Sequence, residues 1–101
     1  MSSSKSDDEL EAWILYKLAK HGYFHGRHTA FENIVKGFKQ QHLGKEGHKR
    51  LNKLADELIK RGFVNKKPTS YGLHISLNSE KSKEIKDFIK VTLGIDLESV
   101  H

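Results

Sequence analysis

The sequence predicts an α+β domain that is mostly helical, with a three-helix core, a two-stranded β-hairpin and a C-terminal helix. Two observations predict it. Apolar residues recur at helical spacing before residue 62 and again after residue 78, whereas residues 63–67 and 73–77 are short β-type runs, the second of which strictly alternates. At 101 residues the chain fits one domain. We place this domain at residues 7–94, between flexible tails at 1–6 and 95–101.

The first helix is predicted over residues 7–21. Asp7, Asp8 and Glu9 stand in its first turn, where the helix dipole favours negative charge. Gly22 marks its end. Its apolar residues extend almost all the way round, which is typical of a helix that is central to the core or that also contacts a partner.

The second and third helices are predicted over residues 29–39 and 45–61. Thr29 and Glu32 have the spacing of a capping box at the start of the second helix. A polar turn at residues 40–44 separates the two helices. The third helix carries a regular apolar stripe and stops at a glycine.

The hairpin is predicted from two short runs, residues 63–67 and 73–77, which flank a turn at 68–72. Asn78 is a suitable N-cap for a last helix over residues 79–93. Six residues on the apolar faces of these elements are expected to be buried. They are Trp13, Phe31, Leu54, Leu58, Phe63 and Ile75.

The positive charge of the chain is concentrated in its middle. The net charge is +5, and residues 45–67 alone hold eight Lys or Arg against three acidic residues. Clustered positive charge is typical of a surface that binds phosphate. The alternative is an ordinary solvated basic face.

The order helix, helix, turn, helix, hairpin, helix resembles the winged-helix family, from about residue 7 to residue 93. The resemblance is sharpest from Leu51 to Val64, where a helix runs through Gly62 into a strand, and at the Lys-, Pro-, Thr-, Ser-, Tyr- and Gly-containing tip that follows. It implies a winged helix-turn-helix fold, with the third helix in the DNA major groove. It also implies a second helix that crosses the backbone and a wing that touches phosphate or the minor groove.

The exposed face of the third helix and the hairpin tip supply the candidate DNA-binding residues. Asn can pair with adenine and Lys can donate to guanine, while Lys, hydroxyl and phenol groups contact the backbone. The alternatives are a solvated helix surface and a stable polar turn. The ten candidates are Lys45, His48, Lys49, Asn52, Lys53, Lys66, Lys67, Thr69, Ser70 and Tyr71.

Several other classes of function are not indicated. The chain has no cysteine, and it shows no phosphate loop, acidic pair or nucleophile beside a base, so we expect no enzyme activity and no cofactor. His21, His25 and His28 lack a standard metal-ligand spacing, so we expect no metal site. No apolar run is long enough to cross a membrane. We expect a cytoplasmic protein, nucleoid-associated if the source is prokaryotic.

The expected partner is double-stranded DNA, bound by a small transcriptional regulator or architectural protein. One alternative is a winged-helix protein–protein interaction module within a larger complex, because a fold does not fix a function. RNA is another, although no aromatic platform for bases is visible. The apolar breadth of the first and last helices also predicts a homodimer built on these terminal helices.

Overall fold

The computed structural model describes residues 5–24, 27–70 and 72–97, and these residues form an α+β fold. The helices in this part of the chain are α1 (Asp7–Lys20), α2 (Phe31–Val35), α3 (Gln40–Leu43), α4 (His48–Lys60) and α5 (Ser82–Leu93). The strands are β1 (Thr29–Ala30), β2 (Val64–Thr69) and β3 (Gly72–Leu77), which form one antiparallel sheet in the order β1-β3-β2.

Helix α1 begins where the sequence predicts, and its N-cap is Ser6, whose hydroxyl accepts a hydrogen bond from the backbone N–H of Glu9 at 3.2 Å. The backbone N–H of Lys5 donates to the carbonyl of His42. Lys5 and Ser6 are therefore attached to the domain, although the sequence places them in a flexible tail. The remainder of that predicted tail, residues 1–4, and residues 98–101 of the C-terminal one lie outside the described residues.

Both predicted ends of the second helix are wrong. Thr29 does not start a helix, because its segment pairs with β3 as strand β1, with Thr29 opposite Ile75. The N-cap of α2 is Ala30, without a side-chain cap hydrogen bond, so the capping box is absent, and the Thr29 hydroxyl accepts from the Asn33 side chain at 3.2 Å. The helix ends at Val35, and the predicted turn at 40–44 contains the separate helix α3.

The third helix begins three residues later than predicted. Gly47, with φ 57°, is its N-cap and bends the chain in a way that other residues rarely adopt. Lys45 consequently lies in a 3-10 turn, Gly44–Glu46, and not on α4. The predicted end is nearly correct, since α4 stops at Lys60 and Gly62 adopts φ 80° before the chain enters β2.

The hairpin is longer and its turn is tighter than the sequence indicates. Thr69 pairs with Gly72, so the connection has two residues, and Pro68 lies within strand β2. Proline is tolerated there because β2 is an edge strand, where one side of the backbone needs no partner. Within residues 5–24, 27–70 and 72–97, the sheet has three strands and not the two predicted, because β1 pairs with the other side of β3.

The core lies between α1, α4, α5 and the inner face of the sheet. Of the six residues predicted to be buried, Phe31, Leu54, Leu58 and Ile75 are buried, whereas Trp13 and Phe63 are only partly buried against the core.

The two terminal helices pack directly against each other, and their apolar residues occupy the core. Leu10, Ile14 and Leu18 of α1 and Ile85 and Ile89 of α5 are buried within the single chain. The surplus apolar surface on which the homodimer prediction rests is thus largely used inside the domain. Among the described residues, no helix has both the length and the apolar character needed to span a membrane.

Candidate nucleic-acid interface

Helix α4 has one apolar and one polar face. Leu51, Leu54 and Leu58 are buried against the core. Every candidate on this helix lies on the opposite, exposed side. These candidates are His48, Lys49, Asn52 and Lys53. The amphipathic spacing of the sequence places them there, because burying the leucine stripe forces the intervening residues outward.

The N-terminal end of α4 is electropositive. Its first turn contains no acidic residue, and the Gly47 cap supplies no side-chain hydrogen bond to the free backbone N–H groups. Free N–H groups and the helix dipole both attract anions at this end. His48 and Lys49 stand in the same turn, and Lys45 is exposed in the 3-10 turn just before it.

Two cations near this face have partners. The Nζ of Lys53 lies 3.5 Å from the Glu46 carboxylate, and both side chains are exposed. Such an exposed pair contributes little to stability and is easily exchanged for another anion. Arg50 is different, because its side chain is only 16% exposed.

Arg50 links the start of α1 and the end of α3 to α4 through hydrogen bonds from its guanidinium group. Its guanidinium donates to the Asp7 carboxylate, with Nη2 2.8 Å and Nε 2.9 Å from Oδ1. It also donates to the backbone carbonyls of Leu43, at 3.3 Å, and of Lys5. The charge of Arg50 therefore belongs to the internal structure and not to a surface for a ligand.

The hairpin candidates differ in position. Lys66 lies opposite Ile75 and Lys67 opposite His74, so the two lysines project to opposite faces of β2, and both are exposed. The Thr69 hydroxyl donates to the Gly72 carbonyl at 2.8 Å and so helps to close the hairpin. Ser70 is exposed in the turn, and Tyr71 lies outside the described residues.

Strand β2 offers a second explanation for its lysines. Edge strands that carry Lys and Pro resist pairing with another chain. Lys66, Lys67 and Pro68 meet that requirement without any ligand. Contact with DNA, as predicted from the sequence, would be a second role of these lysines beside protecting the edge strand from pairing with another chain.

The junction between α4 and the hairpin is fixed by Asn78. Its side-chain amide donates to the Gly62 carbonyl at 2.8 Å, and its backbone N–H donates to the Phe63 carbonyl at 2.9 Å. Helix α4 also packs against β2. These contacts hold the exposed face of α4 and the hairpin in one fixed arrangement.

A separate groove lies between α1 and the segment that joins α2 to α3. It has a volume of about 250 Å³ and is lined by Lys5, Trp13, Lys17, Gly37, Phe38 and His42. The ammonium of Lys17 lies over the Phe38 ring, 5.4 Å from its centroid. The sequence pattern did not reveal this groove, because its residues come from three separate segments.

The metal prediction can be compared with the described histidines only in part, since His25 lies outside the described residues. Within those residues, no group of three or more His, Asp or Glu side chains is placed to hold a metal ion. No protein-family model, curated protein or solved structure matches the chain.

Proposed function

We propose that this protein is a winged-helix DNA-binding protein, acting as a small transcriptional regulator or an architectural protein. Helix α4 lies in the major groove, and the β2–β3 hairpin is the wing that contacts the backbone. One observation carries the proposal. Helix α4 buries its leucine stripe and presents His48, Lys49 and Asn52 to solvent at its electropositive end.

The arrangement of elements supports the winged-helix assignment. The helices, the hairpin and the final helix follow one another in the predicted order. Strand β1 is inserted before α2 and widens the hairpin into a sheet, and the short helix α3 stands where a turn was predicted. In helix-turn-helix docking, residues near the N-terminus of the recognition helix reach the base edges.

The side chains divide into two chemical roles. Asn52 suits bidentate pairing with adenine, and Lys49 can donate to guanine. Lys66, Lys67 and Ser70 suit phosphate oxygens, which position a protein on the duplex without reading its sequence. The first set confers preference for a site, and the second confers general affinity.

Mapping the perturbed backbone amides by NMR, as duplex DNA is added, tests this proposal. Amides of residues 48–53 and of Lys66, Lys67, Thr69 and Ser70 shift, and those of α5 do not. Asn52→Ala then weakens binding to a preferred site by about 1–3 kcal/mol and leaves binding to random duplex nearly unchanged. Shifts confined to α1 and residues 36–42 would contradict the proposal.

The groove between α1 and the α2–α3 connection favours a second candidate function, a protein-interaction module. The groove is lined by two aromatic side chains, Trp13 and Phe38, and by the basic side chains of Lys5, Lys17 and His42. This chemistry suits an acidic segment of a partner protein with one apolar anchor residue. The ammonium groups of Lys5 and Lys17 attract the acidic groups, and the aromatic side chains contact the anchor.

Trp13 reports directly on that second function, because it is the one tryptophan of the chain. A short acidic peptide with a central leucine shifts Trp13 emission in the wild type and much less in Lys17→Gln. If duplex DNA perturbs α4 and the peptide leaves Trp13 unchanged, the interaction-module function is excluded for this groove.

A further inference from the structure

The imidazoles of His28 and His74 meet across the sheet. Their Nδ1 atoms lie 2.8 Å apart, and their ring centroids are 4.9 Å apart. His28 immediately precedes β1 and His74 lies on β3, and Ala30 pairs with His74 in the ladder between these strands. The backbone pairing fixes both residues, so the contact is part of the fold.

The short distance restricts where protons can be. A separation of 2.8 Å is that of a hydrogen bond, so one Nδ1 must carry a proton and the other must present a lone pair. A neutral imidazole has one N–H and one bare nitrogen, and a charged imidazole has two N–H groups. The contact survives when neither ring or one ring is charged. It cannot survive when both are charged, because two N–H groups would then face each other.

We propose that His28 and His74 form a proton-sensitive clasp that joins the segment between α1 and β1 to the hairpin and that opens in acid. Opening follows from the loss of the hydrogen bond and from repulsion between two imidazolium rings. The clasp lies on β3 at the level of Lys67, next to the hairpin tip. It does not depend on whether the hairpin binds DNA.

The charged groups around the clasp favour its opening once both rings are charged. Lys67 of β2 pairs with His74 in register, and Arg27 precedes His28 in sequence. From α2, Glu32 is paired with Lys36 at 3.7 Å. From α1, Lys17 and His21 line a cavity that reaches Thr29, which pairs with Ile75 on the other face of the sheet from His74, so these two residues do not face the clasp. In the described part of the chain, neither imidazole is paired with a carboxylate that would compensate a second proton.

Histidine NMR on the unmodified protein tests the clasp first. Correlation of imidazole nitrogens with ring protons identifies which nitrogen carries hydrogen. Above neutral pH, one ring of the pair has a protonated Nδ1 and the other has a bare Nδ1. Two rings that both carry their proton on Nε2 would overturn the proposal, because no hydrogen bond could then join the Nδ1 atoms.

A double-mutant cycle with His28→Ala and His74→Ala tests the pH dependence. At about pH 8 the two residues are coupled by about fivefold in the folding equilibrium constant, the size of one net hydrogen bond. In acid, at about pH 4.5, the coupling disappears, because two charged rings cannot share the hydrogen bond. The exposed His48→Ala serves as control and shows no coupling to His74→Ala at either pH. A His28–His74 coupling of equal size at both pH values would overturn the proposal.

Discussion

Neighbouring residues on helix α4 have different roles, and burial distinguishes them. Lys49 is exposed and suited to a ligand, whereas the side chain of Arg50, the next residue, is mostly buried and donates to Asp7 and to two backbone carbonyls. Both residues are cations, so positive charge alone does not show which of them has the structural role. The guanidinium suits the structural role because it donates several hydrogen bonds in a fixed plane.

Replacing Arg50 and Lys49 one at a time distinguishes a role in stability from a role in binding. Arg50→Ala lowers the free energy of unfolding by roughly 1–3 kcal/mol, because carbonyls that it satisfied lose their donor. Lys49→Ala changes stability by less than about 0.5 kcal/mol, as exposed substitutions usually do. Urea denaturation measures both. Equal losses in the two variants would mean that Lys49 also has a structural role.

Glu11 is a buried acid on α1 that sequence reasoning did not single out. Its Oε2 lies 3.1 Å from Nη1 of Arg61, and the same guanidinium lies over the rings of Phe63 and Phe88. Burial raises the pKa of the Glu11 carboxyl above its ordinary value of 4.5, and the positive charge of Arg61 offsets part of that effect. The pair joins α1 to the end of α4.

The raised pKa of Glu11 predicts a pH dependence of stability. The folded state binds the Glu11 proton more tightly than the unfolded state, so protonation favours folding. As pH falls through the folded pKa of Glu11 toward 4.5, the wild type gains stability relative to Glu11→Gln. Denaturation at several pH values measures this difference. The exposed Glu84→Gln is the control, and a loss of relative stability on acidification would contradict the pKa direction.

At the scale of elements, α4 supplies a buried and an exposed face from one run of sequence. The buried face anchors the exposed one, since Leu58 is fully enclosed between the other core residues. A change on the buried side therefore affects the position of every candidate DNA contact on the helix.

Truncation of that stripe has a predictable cost. Leu58→Ala lowers the free energy of unfolding by about 2–5 kcal/mol, the usual range for an enclosed leucine. Asp56→Ala, on the exposed side of the same helix, stays within about 0.5 kcal/mol. Thermal or chemical denaturation distinguishes them. A small effect of Leu58→Ala would mean that the faces of α4 are reversed.

The elements that sequence reasoning predicted are those with strong local patterns. Helices α1, α4 and α5 have apolar periodicity and end at glycines, and the alternation in β3 indicates a strand. Strand β1 could not be predicted, because it has two residues and exists through pairing with β3, which lies far along the chain. The capping-box spacing at Thr29 is a local signal that this long-range pairing overrides.

The candidate site was predictable in part for the same reason. The exposed residues of α4 follow from its apolar periodicity. The predicted position of Lys45 on this helix is wrong, because the periodicity does not indicate the bend at Gly47. The Arg50–Asp7 contact and the His28–His74 pair each join residues more than forty positions apart. No spacing rule within one segment could have indicated them.

At the scale of the whole molecule, fewer cations of residues 45–67 are candidates for contact with DNA than the sequence count suggests. Of the eight cations in residues 45–67, Arg50 and Arg61 hold internal contacts, and Lys53 and Lys60 form exposed ion pairs with acidic neighbours. The remaining cations are Lys45, Lys49, Lys66 and Lys67. They lie on the 3-10 turn, on α4 and on β2, and these are the surfaces proposed to face DNA.

The salt dependence of binding to duplex DNA tests the central claim most directly. Each phosphate that a lysine neutralises adds about 0.9 to the slope of log affinity against log salt. The wild type binds at low salt and weakens steeply as salt rises. Lys66→Ala with Lys67→Ala flattens the slope by about two units. Lys83→Ala with Lys90→Ala removes the same charge from α5 and leaves the slope nearly unchanged. A wild type without measurable affinity for any duplex at low salt, or equal flattening by both pairs, would contradict the account.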